Sequence, residues 1–203
     1  MKIAVYGATG MVGSQIVAEA ARRGHEVTAL SRKGTAVEGA AVVRAADLAD
    51  LETYRPAASA NDDVVLATAP DRTGGSREPY LAAHRAIAAV PTDARLYLVG
   101  GFGGLQSPDG TRIKDLPDFP AEYKGESDTV FEAYEALRDS SAGLDVTVQA
   151  PAAVIAPGER TGEYRTAVGV AAGDFISAQD YAVAALDELE SPQFRGEIFT
   201  AAN

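Results

Sequence analysis

Three glycines stand three residues apart in Tyr6-Gly7-Ala8-Thr9-Gly10-Met11-Val12-Gly13-Ser14. Glycines at that spacing suit one chemistry, the closing of backbone amides around a diphosphate. The stretch follows a short β-prone run, Lys2 to Tyr6. It precedes a run to Arg23 in which Met11, Val12, Ile16, Val17 and Ala20 recur at helical spacing, with Gly24 placed to cap the end. In that setting Gly7 turns the chain sharply off the strand. Gly10 removes a side chain that would block a pyrophosphate, and Gly13 lets the helix pack close to the sheet. The helix start adds unpaired N–H groups and about half a positive charge. The expected ligand is a dinucleotide, held by Gly7, Thr9, Gly10, Met11 and Val12.

A second chemistry-bearing group follows the next β run, His25 to Leu30. An NAD site places an Asp or Glu about 20 residues beyond the glycines to accept a bond from the ribose 2′-hydroxyl. Here the chain reads Ser31-Arg32-Lys33-Gly34, and the nearest acids are Glu26 and Glu38. A guanidinium can grip a 2′-phosphate in a two-pronged fork. Ser31 and Arg32 therefore point to NADP in preference to NAD, with NAD still possible. A solvated turn is the plainer reading of the same two cations.

With these residues in hand, the chain resembles the atypical short-chain dehydrogenase/reductase group of NAD(P)H-binding proteins. The group includes NmrA-like proteins, biliverdin reductase B-like flavin reductases and NADH-flavin reductases. The motifs that carry the resemblance are the glycine run, Arg23-Gly24-His25-Glu26-Val27 and Ser31-Arg32. The resemblance implies further contacts. Asp47 and Leu48 would lie at the adenine ring. Ala67, Thr68 and Ala69 would pass beneath the ribose. Gly100 and Gly101 stand where related chains often carry a catalytic Ser or Thr, and Pro151 and Ala152 would meet the nicotinamide carboxamide. For each of these an ordinary strand-end turn is the alternative.

Carbonyl reduction in the wider superfamily uses a Tyr-x-x-x-Lys pair, in which the Lys lowers the Tyr pKa. None of the eight tyrosines has Lys at the fourth following position. Tyr123 comes nearest by location, but Ser127 takes the lysine position and Lys124 is adjacent, about 100° away round a helix. What remains is hydride transfer to an acceptor that needs little acid catalysis, such as a flavin, quinone or similar conjugated ring. Tyr123 would then be a wall or proton donor, and Phe102 and Phe119 would offer apolar surface. These aromatics could equally pin their loop to the core. Tyr80 and His84 are one turn apart and could form a polar pair, although His84 reads better as structural. His25 reads as solvated. The segment Pro157 to Arg165 reads as either a substrate lid or a wet turn.

These residues need elements to hold them. β-prone runs at 40–43, 63–67, 95–99 and 144–149 alternate with helical patterns at 49–55, 79–90, 121–138 and 178–189. The last helix opens on Ser177 with Asp180 three residues on, a capping-box-like start. Residues 198–200 read as a final edge strand, and 100–120 as a loop with little regular structure. This alternation predicts a Rossmann-like doubly wound α/β fold, a mostly parallel sheet with helices on both faces. One domain spans 1–203, with substrate-side elements near 100–125 and 151–178.

Composition narrows the function classes. A net charge of −11 opposes nucleic acid and anionic membranes, and the absence of cysteine excludes thiol catalysis and zinc–thiolate sites. Two separated histidines make no metal site. The reading is a cytoplasmic NAD(P)H-dependent oxidoreductase with a small-molecule acceptor, monomer or homodimer. A non-catalytic NmrA-like sensor that binds a protein partner is the alternative. A nucleotide-sugar epimerase or dehydratase is opposed by the short C-terminal part.

Overall fold

The computed structural model describes residues 1–203. Its first 150 residues run β1 (Lys2–Tyr6), α1 (Met11–Arg22), β2 (Glu26–Ser31), β3 (Val42–Ala45), α2 (Leu51–Ala60), β4 (Asp63–Leu66), α3 (Glu78–Ala88) and β5 (Arg95–Val99), then α4 (Ala121–Arg138) and β6 (Val146–Ala150). After these come β7 (Val154–Ala156), β8 (Arg165–Val168), β9 (Phe175–Ser177), α5 (Ala178–Glu190) and β10 (Ile198–Ala202).

Eight strands form one sheet in the order β3-β2-β1-β4-β5-β6-β10-β8, parallel throughout except for β8, which runs antiparallel to β10. The central strands are apolar on both faces because both faces are covered. Ala4, Tyr6, Leu66 and Leu98 point to one side, under Tyr54 of α2, Ile87 of α3 and Leu137 of α4. Ile3, Val5, Val65 and Tyr97 point to the other, under Ile16 and Val17 of α1 and Tyr181 and Leu186 of α5. Winding reverses between β1 and β4, and doubly wound sheets bind ligands at such a reversal, outside the carboxyl ends of the strands. The doubly wound, mostly parallel reading holds.

Several details differ from the sequence expectation. The last strand is no edge: β10 is buried between β6 and β8. The helix expected to stop near Arg55 runs through Pro56 to Ala60, because Tyr54 and Ala58 anchor it in the core and outweigh the lost N–H. Three short strands, β7 to β9, went unread, being only three or four residues long. The stretch 100–120 contains two 3-10 turns, Phe102–Gly104 and Ile113–Asp115. It also docks on the far end of the sheet through the Gln106 N–H, which donates to Gly169 O at 2.7 Å.

The segment 157–165 is exposed at every residue but Tyr164, as a wet turn would be, yet it is tied to two helices. Arg160 donates two bonds of 2.8 Å to the buried Glu19 carboxylate on α1. Thr161 Oγ1 and the Gly162 N–H donate to Asp180 of α5 at 2.6 and 2.8 Å. The segment is a strap across α1 and α5, on the face away from α4. His25 is also corrected. Its side chain is mostly covered, with Nε2 at 2.7 Å from Glu190 and Nδ1 at 3.3 Å from the N-terminal amine. No helix is long and apolar enough to cross a membrane.

Candidate functional site

The glycine turn leaves β1 at the point where the winding reverses, and its three glycines have three different reasons to be glycine. Gly7 has φ +77°, and a Cβ there would lie 2.3 Å from Ala67 O on the neighbouring chain end. At Gly13 a Cβ would lie 2.2 Å from Gly7 O, so α1 packs against the turn only because that atom is missing. Gly10 is under no such demand. It has φ −75°, and an added Cβ would meet only Gly7 O, at 3.3 Å. A side chain at Gly10 asks the turn to give by only a few tenths of an ångström, and that side chain would fill the outer face of the cradle.

Gly10 is also the N-cap of α1, with no capping side chain and no acid in the first turn. Its own N–H donates to Gly7 O at 2.9 Å, while the N–H groups of Thr9, Met11 and Val12 have no acceptor within the chain. Exposed donors at a helix start, with no carboxylate to compete, suit a diphosphate. The residues present therefore fit a dinucleotide.

The other expected cofactor residues fall along the same edge. Ser31 ends β2; its Oγ accepts the Thr35 N–H at 3.2 Å and its carbonyl accepts the Ala46 N–H at 2.9 Å, which shapes a tight turn. Arg32 and Lys33 project from that turn, exposed and without a carboxylate partner. Asp47 is exposed and accepts the Ala49 N–H at 3.0 Å, whereas the Leu48 side chain belongs to the core. Leu48 can therefore offer a ligand only its backbone. Ala67, Thr68 and Ala69 follow β4, Gly100 and Gly101 follow β5, and Pro151 and Ala152 follow β6. Ala152 is fully buried.

Beneath Thr68 lies a buried polar group that sequence reasoning had only half seen. The hydroxyls of Thr68 and Tyr80 and Nε2 of His84 are all buried without a hydrogen-bond partner. The Tyr80 and His84 rings lie 4.1 Å apart between centroids, and His84 Nδ1 donates to Tyr80 O at 2.8 Å. Burial pushes the His84 pKa down to about 4 and raises that of the Tyr80 hydroxyl. His84 is therefore a neutral core residue at pH 7.

On the far side of the edge, Gly100, Gly101 and Gly104 line a small apolar pocket with Val130, Phe131 and Tyr134 of α4; its one side-chain hydroxyl besides that of Tyr134 is Ser127. A Cβ on Gly100 would strike Val148 at 2.6 Å, so β6 leaves no room there for a Ser or Thr. Tyr123 sits one turn before Ser127 and is 57% exposed. Lys124 cannot serve it, being held at 2.8 Å by Asp115 and 3.0 Å by Asp128, both of which also hold Lys114. Phe102 packs against the core, so it pins the loop and does not line an open wall. Phe119 is half-buried.

A family model described as NAD(P)H-binding matches residues 7–192. The Bacillus subtilis protein YwnB is 37% identical over 98% of this chain and 97% of its own length. A crystal structure from Burkholderia pseudomallei, provisionally named as an exported protein, superposes with a TM-score of 0.87 at 40% identity and covers 100% of both chains. Another, from Streptococcus pneumoniae and provisionally named as an NADH-flavin reductase, gives 0.85 at 30% identity over 100% of this chain and 99% of its own.

Proposed function

This chain belongs to the NAD(P)H-binding family, and on that premise we propose that it is an NADPH-preferring reductase of a flavin, quinone or similar small conjugated acceptor. The observation that carries the reading is the turn at Gly10, where free amides and an unfilled glycine face meet at the reversal of the sheet. Arg32 supports the choice of NADPH, as an unpaired guanidinium beside a serine hydroxyl.

When bound, the nicotinamide supplies a hydride (two electrons with one proton), and a second proton from water completes the reduced acceptor. The chain's own part is placement. Thr9, Met11 and Val12 amides hold the diphosphate, and Ser31 with Arg32 holds the 2′-phosphate. Asp47 and the backbone of Leu48 border the adenine, and Ala67, Thr68 and Ala69 support the ribose. Gly100, Gly101, Pro151 and Ala152 shape the nicotinamide end. Tyr123, exposed at the start of α4, borders the acceptor. A conjugated ring spreads the charge of its reduced form, so the missing Tyr-x-x-x-Lys pair is no obstacle. A cytoplasmic location goes with this reading, since NADPH is an intracellular reductant.

Two measurements on the purified protein test it. Titration calorimetry should show NADPH binding more tightly than NADH. Absorbance at the reduced nicotinamide band should fall when riboflavin, FMN or a quinone is added. Tight binding without oxidation by any acceptor would replace the enzyme with a sensor that reports cofactor state. No binding of either nucleotide would end the proposal.

A further inference from the structure

We propose that the acceptor taken by this site is uncharged, and that acceptors bearing phosphate or carboxylate groups are disfavoured by charge alone. This rests on the reductase reading above and adds the electrical character of the substrate to it. The observation behind it is that the two ends of the carboxyl edge treat their cations differently.

At the adenosine end, Arg32 and Lys33 after β2 and Arg44 on β3 are exposed, and none is tied to a carboxylate. At the acceptor end, the cations of the 70–128 stretch are engaged, and Arg165 of β8, which has no carboxylate partner, donates to Ala172 O at 2.6 Å. Arg72, in the segment after β4, meets Glu126 of α4 at 2.5 Å, and Arg77 pairs with Glu132. Lys114 and Lys124 are both shared between Asp115 and Asp128. Arg112 donates to Gly104 O at 2.7 Å and lies 4.8 Å over the Phe131 ring. Arg160 is drawn away to Glu19 on the opposite face of the sheet.

The acids at this end outnumber the cations. Residues 100–128 carry six carboxylates against three cations. Asp118 and Glu122, which flank the turn leading to Tyr123, are exposed and have no cationic partner. An anionic acceptor approaching Tyr123 would meet surplus negative charge and no free cation. Removing its own charge from water there would go uncompensated. The cavity behind, between the sheet and α4, is lined mainly by apolar groups and is too small for a ring, so it supplies no cation to offset that charge. The net charge of −11 alone does not account for this, because the same chain keeps three cations unpaired at the other end.

The redox step is the one balanced above: hydride to the acceptor, one proton from water, oxidised nicotinamide left behind. The test compares two flavins that share a ring and differ in a phosphate. Steady-state NADPH oxidation is measured with riboflavin and with FMN at low and high salt. At low salt kcat/KM for riboflavin should exceed that for FMN by at least about five-fold, and the gap should close as salt screens the rim. The double substitution Asp118→Asn with Glu122→Gln should raise kcat/KM for FMN and leave riboflavin unchanged. FMN matching or exceeding riboflavin, or a preference indifferent to salt and to the double variant, would overturn the inference and leave the reductase reading intact. Failure of every acceptor, with NADPH still bound, would overturn both.

Discussion

At the scale of single residues, the three glycines of the turn separate folding from binding. Gly13→Ala drives a methyl into Gly7 O, a contact no relaxation of one side chain can relieve, and overpacking of this kind costs about 1–3 kcal/mol. Gly7→Ala adds the cost of a left-handed backbone, about 1–2 kcal/mol, to a similar clash. Gly10→Ala meets neither obstacle and should change stability by less than about 1 kcal/mol. It should nevertheless weaken NADPH binding about ten-fold or more, equivalent to roughly 1.4 kcal/mol. Thermal melts beside calorimetry check the contrast, and a Gly10→Ala protein that binds normally would refute the cradle. Arg32→Ala should lower NADPH affinity by roughly 10- to 150-fold, the worth of a charge-assisted bond, with NADH affinity unmoved. Equal losses would show that Arg32 reads no 2′-phosphate. The backbone demands at Gly7 and Gly13 were legible in the sequence, because the glycine spacing acts through local geometry. The burial of Leu48 was not, since a strand-end pair does not disclose which member turns inward.

At the scale of elements, an ion-pair hub adds to the β6–β10 pairing and the apolar α1–α5 contact that join the C-terminal part to the rest. Glu19 of α1 is 2% exposed and accepts from Arg22, Arg23 and Arg160, while Arg23 reaches on to Asp187 and Glu190 of α5. The Arg160 hydrogen bonds lead in holding the Glu19 carboxyl down, against the opposing cost of burial, so that its pKa falls from 4.5 to about 2. A folded-state pKa below the unfolded value gives stability that is complete above about pH 4.5 and is lost as pH falls toward 2. Glu19→Gln should therefore lower stability at neutral pH, and the stability of the variant should fall less steeply between pH 4.5 and 2. Denaturant melts across that range measure both effects. An unchanged acid limb would mean that the strap is held by Asp180 instead. The bond from Arg160 to Glu19 joins residues 141 apart, which is why the sequence offered only a lid or a wet turn. The Ser177 cap needed no such reach: its Oγ accepts the Asp180 N–H at 2.9 Å, as the local spacing foretold. Strands of three residues, such as β7 and β9, carry too little periodicity to announce themselves.

At the scale of the whole molecule, the candidate cofactor residues from Gly7 to Ala152 are spread over six strand ends, and these ends belong to one continuous sheet. The alternation of strands and helices was enough to predict that convergence, because parallel strands joined by helical crossovers bring their carboxyl ends to one side. The convergence also couples binding to folding. A ligand that touches the ends of β1 to β6 is lost entirely when the sheet opens, so its binding energy adds to the stability of the entire chain. At a free concentration 100 times its dissociation constant, NADPH should stabilise the native state by about 2.7 kcal/mol. For a domain of this length that corresponds to a Tm increase of roughly 5–11 °C, at about 2–4 °C per kcal/mol. The transition should remain single, because both sheet faces share the same strands and neither core can melt alone. NADH at the same concentration should shift Tm less, and Arg32→Ala should bring the two shifts together. Two separate transitions, with only the first moved by NADPH, would show that the strap, β8 and β10 fold apart from the nucleotide-binding strands.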